Sequence, residues 1–215
     1  MQAIAFDDVP RLFESVGRIF AEKKDELCEM DARLGDGDLG LTMSKGFGAL
    51  PQALRDASAS TGRDVGKLLV KGGMALSGVA PSTMGFLMAS GLMEAGKALK
   101  GQSEITAPGL ARFLEGFAAG IQKRGKCQTG DRTILDAMQP AAQEGATAAD
   151  AGADLTGVIE AAAQGAARGV EATRDMLPKF GKAAVHAAKS AGIADQGAVA
   201  GCYLICGMKD FICGK

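Results

Sequence analysis

The chain has 215 residues, 47% of them hydrophobic and 23% charged, a balance that excludes an intrinsically disordered chain and lets a single core bury roughly 70% of the unfolded surface. Lysine and arginine number 24 against 25 aspartates and glutamates, with no basic stripe, which excludes nucleic acid as a main partner. Aromatics are 5%, tryptophan is absent and glycines number 31, so closely packed helices in one domain over residues 1–215 are expected rather than a β-sandwich.

The opening MQAIAFDDVPRLF has no basic region followed by an apolar core, so no signal peptide is expected. Asp8 is placed to cap a helix with Pro10 in its first turn, and Leu12, Phe13, Val16, Ile19 and Phe20 recur at helical spacing, predicting an amphipathic helix to about Met30. A glycine and aspartate turn, DARLGDGDLG, then leads to a helix over about Leu39 to Leu50. Further helices are predicted over Arg63 to Ala80, Thr83 to Leu99, Pro108 to Arg124, Asp131 to Gly145, Leu155 to Thr173 and Ala198 to Cys213, each bounded by Gly, Pro, Ser or Asp. Asp175 to Asp195 reads as a loop. No stretch alternates with period two, so the expected class is all-α, about eight helices with short connections. Gly73 to Met93 carries no charge over about the length of a membrane span, but Pro81, Ser82 and Thr83 interrupt it. It reads as two buried helical segments meeting at a loop, not a span. Five cysteines (Cys28, Cys127, Cys202, Cys206, Cys213) form no CxxC pair, which fits a reduced, cytoplasmic setting.

The strongest chemical signal is Asp31-Ala-Arg-Leu-Gly35-Asp36-Gly37-Asp38-Leu-Gly40. Three carboxylates lie within eight residues, and the intervening glycines let the backbone fold tightly enough to aim them at one point. Their mutual repulsion is relieved by a hard divalent cation, for which all-oxygen ligation is suited. An EF-hand read from Asp36 fails, because its sixth and twelfth positions hold Leu41 and Phe47. Gly35, Gly37 and Gly40 spell GxGxxG, but the preceding EKKDELCEMD is a charged helix rather than a buried strand. Gly62 to Lys67 approaches a P-loop, yet is one residue short and is followed by Leu68 in place of Ser or Thr. Three other places carry residues able to surround a nucleotide: Ser77 to Thr83 leading into a helix N-terminus, Arg124 to Asp136 with Asp131 placed to cap a helix, and Gly181-Lys182 with Asp195-Gln196-Gly197.

In this order, over essentially the whole chain, these segments resemble the nucleotide-binding L subunit of dihydroxyacetone kinase. That family's Asp, four residues, then Asp-Gly-Asp is met by Asp31, Asp36 and Asp38. Its Arg-Gly-Lys stretch leading to Gly-Asp-Lys-Thr-Met-Leu-Asp-Ala is met by Arg124 to Ala137, with Arg132 and Ile134 as changes. Its Gly-Arg and Asp-Pro-Gly are met by Gly181-Lys182 and Asp195-Gln196-Gly197. The resemblance implies an eight-helix antiparallel barrel with Mg-nucleotide at one end and no catalytic side chain. Two Mg²⁺ would sit on Asp31, Asp36 and Asp38. ADP or ATP would lie beside Leu39, Gly40, Leu41, Thr42, Ala80, Ser82, Thr83, Gly125, Ile134, Lys182, Asp195, Gln196 and Gly197. Departures are Leu39 in place of His, a shorter Ser77 to Gly85 segment, and Lys182 where Arg is expected. The implied partner is a K-type subunit that holds the ketose. The donor is either ATP or a phosphotransferase-system protein that rephosphorylates bound ADP, and a homodimer is left open. Alternatives are a Mg-nucleotide-sensing interaction module without turnover and a fatty-acid-kinase-like domain. His186, the single histidine, and the pair Cys202 and Cys206 read as structural.

Overall fold

The structure, a computed structural model, describes residues 1–185 and 190–214. In chain order the elements are β1 (Ala3–Ala5), α1 (Val9–Glu22), α2 (Lys24–Ala32), α3 (Leu39–Ser58), α4 (Val65–Val79), α5 (Thr83–Ala98), β2 (Glu104–Thr106), α6 (Ala107–Gly125), α7 (Leu135–Asp150), α8 (Leu155–Ala172), α9 (Gly181–Val185) and α10 (Gln196–Cys213). The class is all-α.

Local chemistry starts most of the long helices. Asp64, Ser82, Thr106, Asp154 and Asp195 each accept a hydrogen bond from the amide three residues on, at the heads of α4, α5, α6, α8 and α10. This satisfies a donor that the first helical turn leaves free. Apolar faces then decide the packing. Leu12, Phe13, Val16 and Phe20 of α1 are fully buried, and Phe20 stacks on Phe47 of α3 with centroids 4.7 Å apart. Each such side chain contributes about 1.5–3 kcal/mol relative to an exposed one.

Eight helices close a ring. Packing runs from α1 to α3, α4, α5, α6, α7, α8 and α10, and from α10 back to α1. Short connections make successive members antiparallel. The connections 33–38, 80–82, 126–134 and 173–195 therefore gather at one end of the barrel, and 59–64, 99–106 and 151–154 at the other. The abundance of glycine serves this ring. A Cβ on Gly66 would stand 2.4 Å from the Gly96 carbonyl oxygen, and one on Gly169 would stand 2.0 Å from the Asp136 carbonyl oxygen. Neither α4 with α5 nor α7 with α8 could approach so closely with larger residues.

Several expectations are corrected. The first predicted helix is two, because the chain breaks at Lys23 (φ −95°, ψ 8°). The core-facing stripe of α1 ends at Phe20, and α2 packs instead on α3 and α10. Asp8 precedes α1 without a side-chain capping bond and pairs with Arg11. The helix from Leu39 runs past Pro51 to Ser58, since Leu50 and Leu54 continue its buried face. A small antiparallel ladder exists, Ala3 to Ala5 against Thr106 to Glu104, too short for alternation to reveal it. The helix expected from Asp131 begins at Leu135, and the loop expected over 175–195 contains α9. The uncharged stretch divides into α4 and α5 around Ala80 to Ser82. Among the described residues no helix is long and apolar enough to cross a membrane. His186 lies outside the described residues.

Candidate functional site

At the end of the barrel that gathers the connections 33–38, 80–82, 126–134 and 173–195, α2 delivers Asp31 in its last turn, buried, while Asp36 and Asp38 stand exposed on the turn into α3. One carboxylate oxygen from each lies within 4.8 Å of the others. Asp31 organises the turn: its Oδ2 accepts hydrogen bonds from the amides of Gly37 (2.9 Å) and Asp38 (3.1 Å), and its Oδ1 accepts one from Gln196 Nε2 (3.3 Å). Gly37 sits at φ +77°, a conformation costly for other residues. Gly40 is required on packing grounds, because a Cβ there would lie 1.9 Å from the Lys24 carbonyl oxygen where α3 starts against α2.

Lys182, at the second position of α9, forms an ion pair with Asp36. The hydrogen bond from its ammonium holds the Asp36 carboxyl below the usual carboxylate range, and Asp36 raises Lys182 in turn. The all-oxygen donor set, with one rigid buried carboxylate and two exposed ones, fits a hard divalent cation. Zinc, which favours nitrogen and sulfur, is not matched by it.

Around this cluster, α3, α5, α7 and α10 all begin, so four positive helix-dipole ends come to the same face, although at α7 the amides of Leu135, Asp136 and Ala137 are already held by Thr133 and Ile134. Leu39 and Gly40 are buried in the first turn of α3 and Leu41 is exposed. Thr42 donates its amide to the Asp38 carbonyl (2.9 Å), closing the first turn of α3. At α5, the Ser82 amide binds the Ala80 carbonyl (2.8 Å) and the Ser82 hydroxyl accepts from Gly85 (3.0 Å), with Thr83 opening the helix. Ile134 is buried directly before α7. Gly197 packs against it: a Cβ on Gly197 would lie 3.2 Å from the Ile134 amide nitrogen and 3.0 Å from Met84 Cε. Asp195 caps α10 through Ala198 (2.8 Å), and burial pushes its carboxyl up to about 6.

The structure thus joins Asp31, Asp36, Asp38, Lys182 and Gln196 by hydrogen bonds or ion pairs, and Ile134 with Gly197 by packing. Gly125 ends α6 beside Leu87 and Cys127, on the same barrel end but without a direct bond to the acid turn. Asp131 does not cap α7. Its carboxylate accepts from the Gln128 amide (2.7 Å) and from Lys179 (2.6 Å), and Lys179 holds it below the usual range. Asp136 instead ties the turn, accepting from Gly130 (2.5 Å) and Thr133 (2.7 Å). Nothing in the sequence marks Met84 or Lys179, and Arg132 stands out there only as a change within the Arg124 to Ala137 stretch, with no sign of its buried role. Their partners lie tens of residues away, and no local pattern marks them.

The similarities to known proteins follow the same lines. The chain is 30% identical over 186 residues to the ADP-binding subunit DhaL of PEP-dependent dihydroxyacetone kinase 2 from Listeria innocua, covering 86% of this chain and 85% of that protein. It is 26% identical over 189 residues to the ADP-binding subunit DhaL of the Escherichia coli PEP-dependent dihydroxyacetone kinase, covering 88% and 89%. The fold resembles the crystal structure of the dihydroxyacetone kinase of C. freundii with a TM-score of 0.72 at 23% identity. That match covers 94% of this chain and 34% of the other, so the present chain spans about a third of that protein. Residues 33–210 match the DAK2 domain, and the chain belongs to the DAK2 domain family.

Proposed function

We propose that residues 1–215 form a Mg-nucleotide-binding phosphotransfer subunit that passes a phosphoryl group, through ADP or ATP, to a short ketose held by a K-type partner subunit. The observation that carries this reading is the three-carboxylate cluster set beside the N-termini of α3 and α5, a pairing of cation ligands with anion-binding amides that a nucleoside phosphate requires. The Listeria and Escherichia relatives named as ADP-binding subunits support it, as does a C. freundii dihydroxyacetone kinase structure solved with AMP-PNP and Mg²⁺.

Phosphoryl transfer calls for positioning and charge stabilisation more than covalent participation of the protein. Mg²⁺ ions on Asp31, Asp36 and Asp38, two in this reading, supply neutralisation of the phosphate oxygens when bound. Asp31 fixes the turn so that Asp36 and Asp38 face one point. First-turn amides of α3 and α5 orient phosphate oxygens, with the Thr42, Ser82 and Thr83 hydroxyls beside them. Lys182 contributes positive charge beside Asp36. Gly125, Ile134 and Gly197 shape the closely packed wall on which the rest of the nucleotide lies, and Asp195 with Gln196 holds the α10 end of it. The ketose is held by the partner, and the phosphoryl donor is either ATP or a phosphoprotein acting on bound ADP.

The test is calorimetric titration of Mg-ADP and Mg-ATP into the wild-type chain and Asp36→Ala. Nucleotide affinity is expected to disappear in the variant while helical circular dichroism is unchanged; undiminished affinity would overturn the assignment. Mass spectrometry of nucleotide released on denaturation, before and after dialysis against EDTA, separates the donors. ADP that leaves only with the metal indicates the phosphoprotein route, and Mg-dependent ATP binding without retained nucleotide indicates ATP.

A further inference from the structure

Between α8 and α10 the chain leaves the barrel and carries Lys182 across to Asp36 before returning at Asp195. The two ends of this strap meet directly, the Gly192 amide donating to the Arg174 carbonyl (3.1 Å) and Arg174 Nη1 to the Gly192 carbonyl (3.0 Å), and one buried side chain that the site does not otherwise use bonds to both of them. Arg132, on the turn before α7, is 2% exposed and sits at φ +60°. Its Nε donates to the Thr173 carbonyl (3.1 Å), where the strap departs. Its Nη2 donates to the carbonyls of Ser190 (3.2 Å) and Ile193 (2.8 Å), where the strap returns. The Asp195 amide meets the Thr173 hydroxyl at 2.9 Å, so both ends are drawn to the same point. The preceding residue grips the strap in the middle: Lys179 donates its amide to the Asp131 carbonyl (3.2 Å) and its ammonium to the Asp131 carboxylate (2.6 Å).

A left-handed backbone at a fully buried arginine is unfavourable for both backbone and charge. Nη1 is buried without a hydrogen-bond partner among the described residues. A side chain chosen only to fill the core would be apolar. The planar guanidinium is the group that can reach three carbonyls in fixed directions at once, which an ammonium cannot reproduce.

We propose that Arg132 is a positioning residue that latches the strap at both ends, and so fixes Lys182 and the Asp195-Gln196-Gly197 turn relative to the acid cluster. It is two residues from Ile134, which packs on Gly197, so one short turn sets both the wall of the site and the strap that crosses it. The proposal concerns how the site is held; its consequence for nucleotide rests on the function proposed above.

The experiment compares wild type, Arg132→Met and Arg132→Lys by hydrogen exchange with mass spectrometry and by calorimetry with Mg-ADP. Mn²⁺ alone serves as the probe of the acid cluster. In Arg132→Met, amides of residues 174–185 and 190–195 are expected to exchange about tenfold faster or more while α1, α3 and α6 keep wild-type protection. Mg-ADP affinity should fall about tenfold with Mn²⁺ affinity unchanged, because fewer molecules hold the competent arrangement. Arg132→Lys should fall between the two. Unchanged strap exchange in a folded variant, or exchange raised equally throughout the barrel, would overturn the latch. If Arg132→Met does not fold, Arg132→Lys decides by the same readings. Wild type that binds no Mg-nucleotide would refute the proposed function alone, since strap exchange reads the latch without nucleotide.

Discussion

Asp31 offers the sharpest separation of scaffold from ligand. In Asp31→Ala the amides of Gly37 and Asp38 and the Gln196 carboxamide all lose their acceptor. Hydrogen bonds to a charged acceptor contribute about 1.5–3 kcal/mol each. Gly37 is half-buried and Asp38 exposed, so water replaces part of the loss and a total near 2–3 kcal/mol is expected. For a chain of this size that lowers Tm by roughly 5–10 °C. Asp31→Asn keeps the shape and an oxygen acceptor for the same amides, and should cost only about 1 kcal/mol of stability. Against a divalent cation, however, it removes a full charge, worth at least about 3 kcal/mol or roughly a hundredfold in affinity after water and screening are allowed for. The assays are thermal melts followed by circular dichroism and calorimetric titration with Mn²⁺. Wild-type Mn²⁺ affinity in Asp31→Asn would refute the metal reading of the cluster. Equal melting temperatures for the Ala and Asn variants would refute the turn-organising role.

Two predictions concern the barrel. Gly169→Ala places a Cβ 2.0 Å from the Asp136 carbonyl oxygen, forcing α7 and α8 apart at a cost of about 1–3 kcal/mol. By contrast, Gly48→Ala on the exposed face of α3 meets nothing within 4 Å and should stabilise by about 0.5–1 kcal/mol. Chemical denaturation measures both, and equal shifts would contradict the packing account. A third prediction uses pH. Burial raises the Asp195 carboxyl to about 6 in the folded chain, above its unfolded value near 3.9, so the folded state binds this proton more tightly. Stability from this group is therefore greatest below about pH 4 and declines through about pH 6, by on the order of 3 kcal/mol. Asp195→Asn still has an oxygen to cap α10 and should flatten the profile; parallel curves for the two proteins between these pH values would refute the assignment.

The helix content, the main boundaries and the acid cluster were legible because their signals are local. Caps at Asp64, Ser82, Asp154 and Asp195 sit where a side chain reaches its own next turn, and the spacing of Asp31, Asp36 and Asp38 on a glycine turn is a property of eight residues. The break at Lys23 was not legible, because it depends on what α2 packs against rather than on its own propensity. Nor was the role of Asp131, since the carboxylate that a helix start would have used is drawn to Lys179, 48 residues on.

The sequence by itself thus determined an all-α chain with three carboxylates aimed at one point, because periodicity, capping and turn chemistry act over a few residues. Tertiary structure alone decided which helix ends surround those carboxylates, that Lys182 faces Asp36, and that Arg132 ties both ends of the strap. Each of these joins groups far apart in the chain, and only closure of the eight-helix ring brings them within bonding distance.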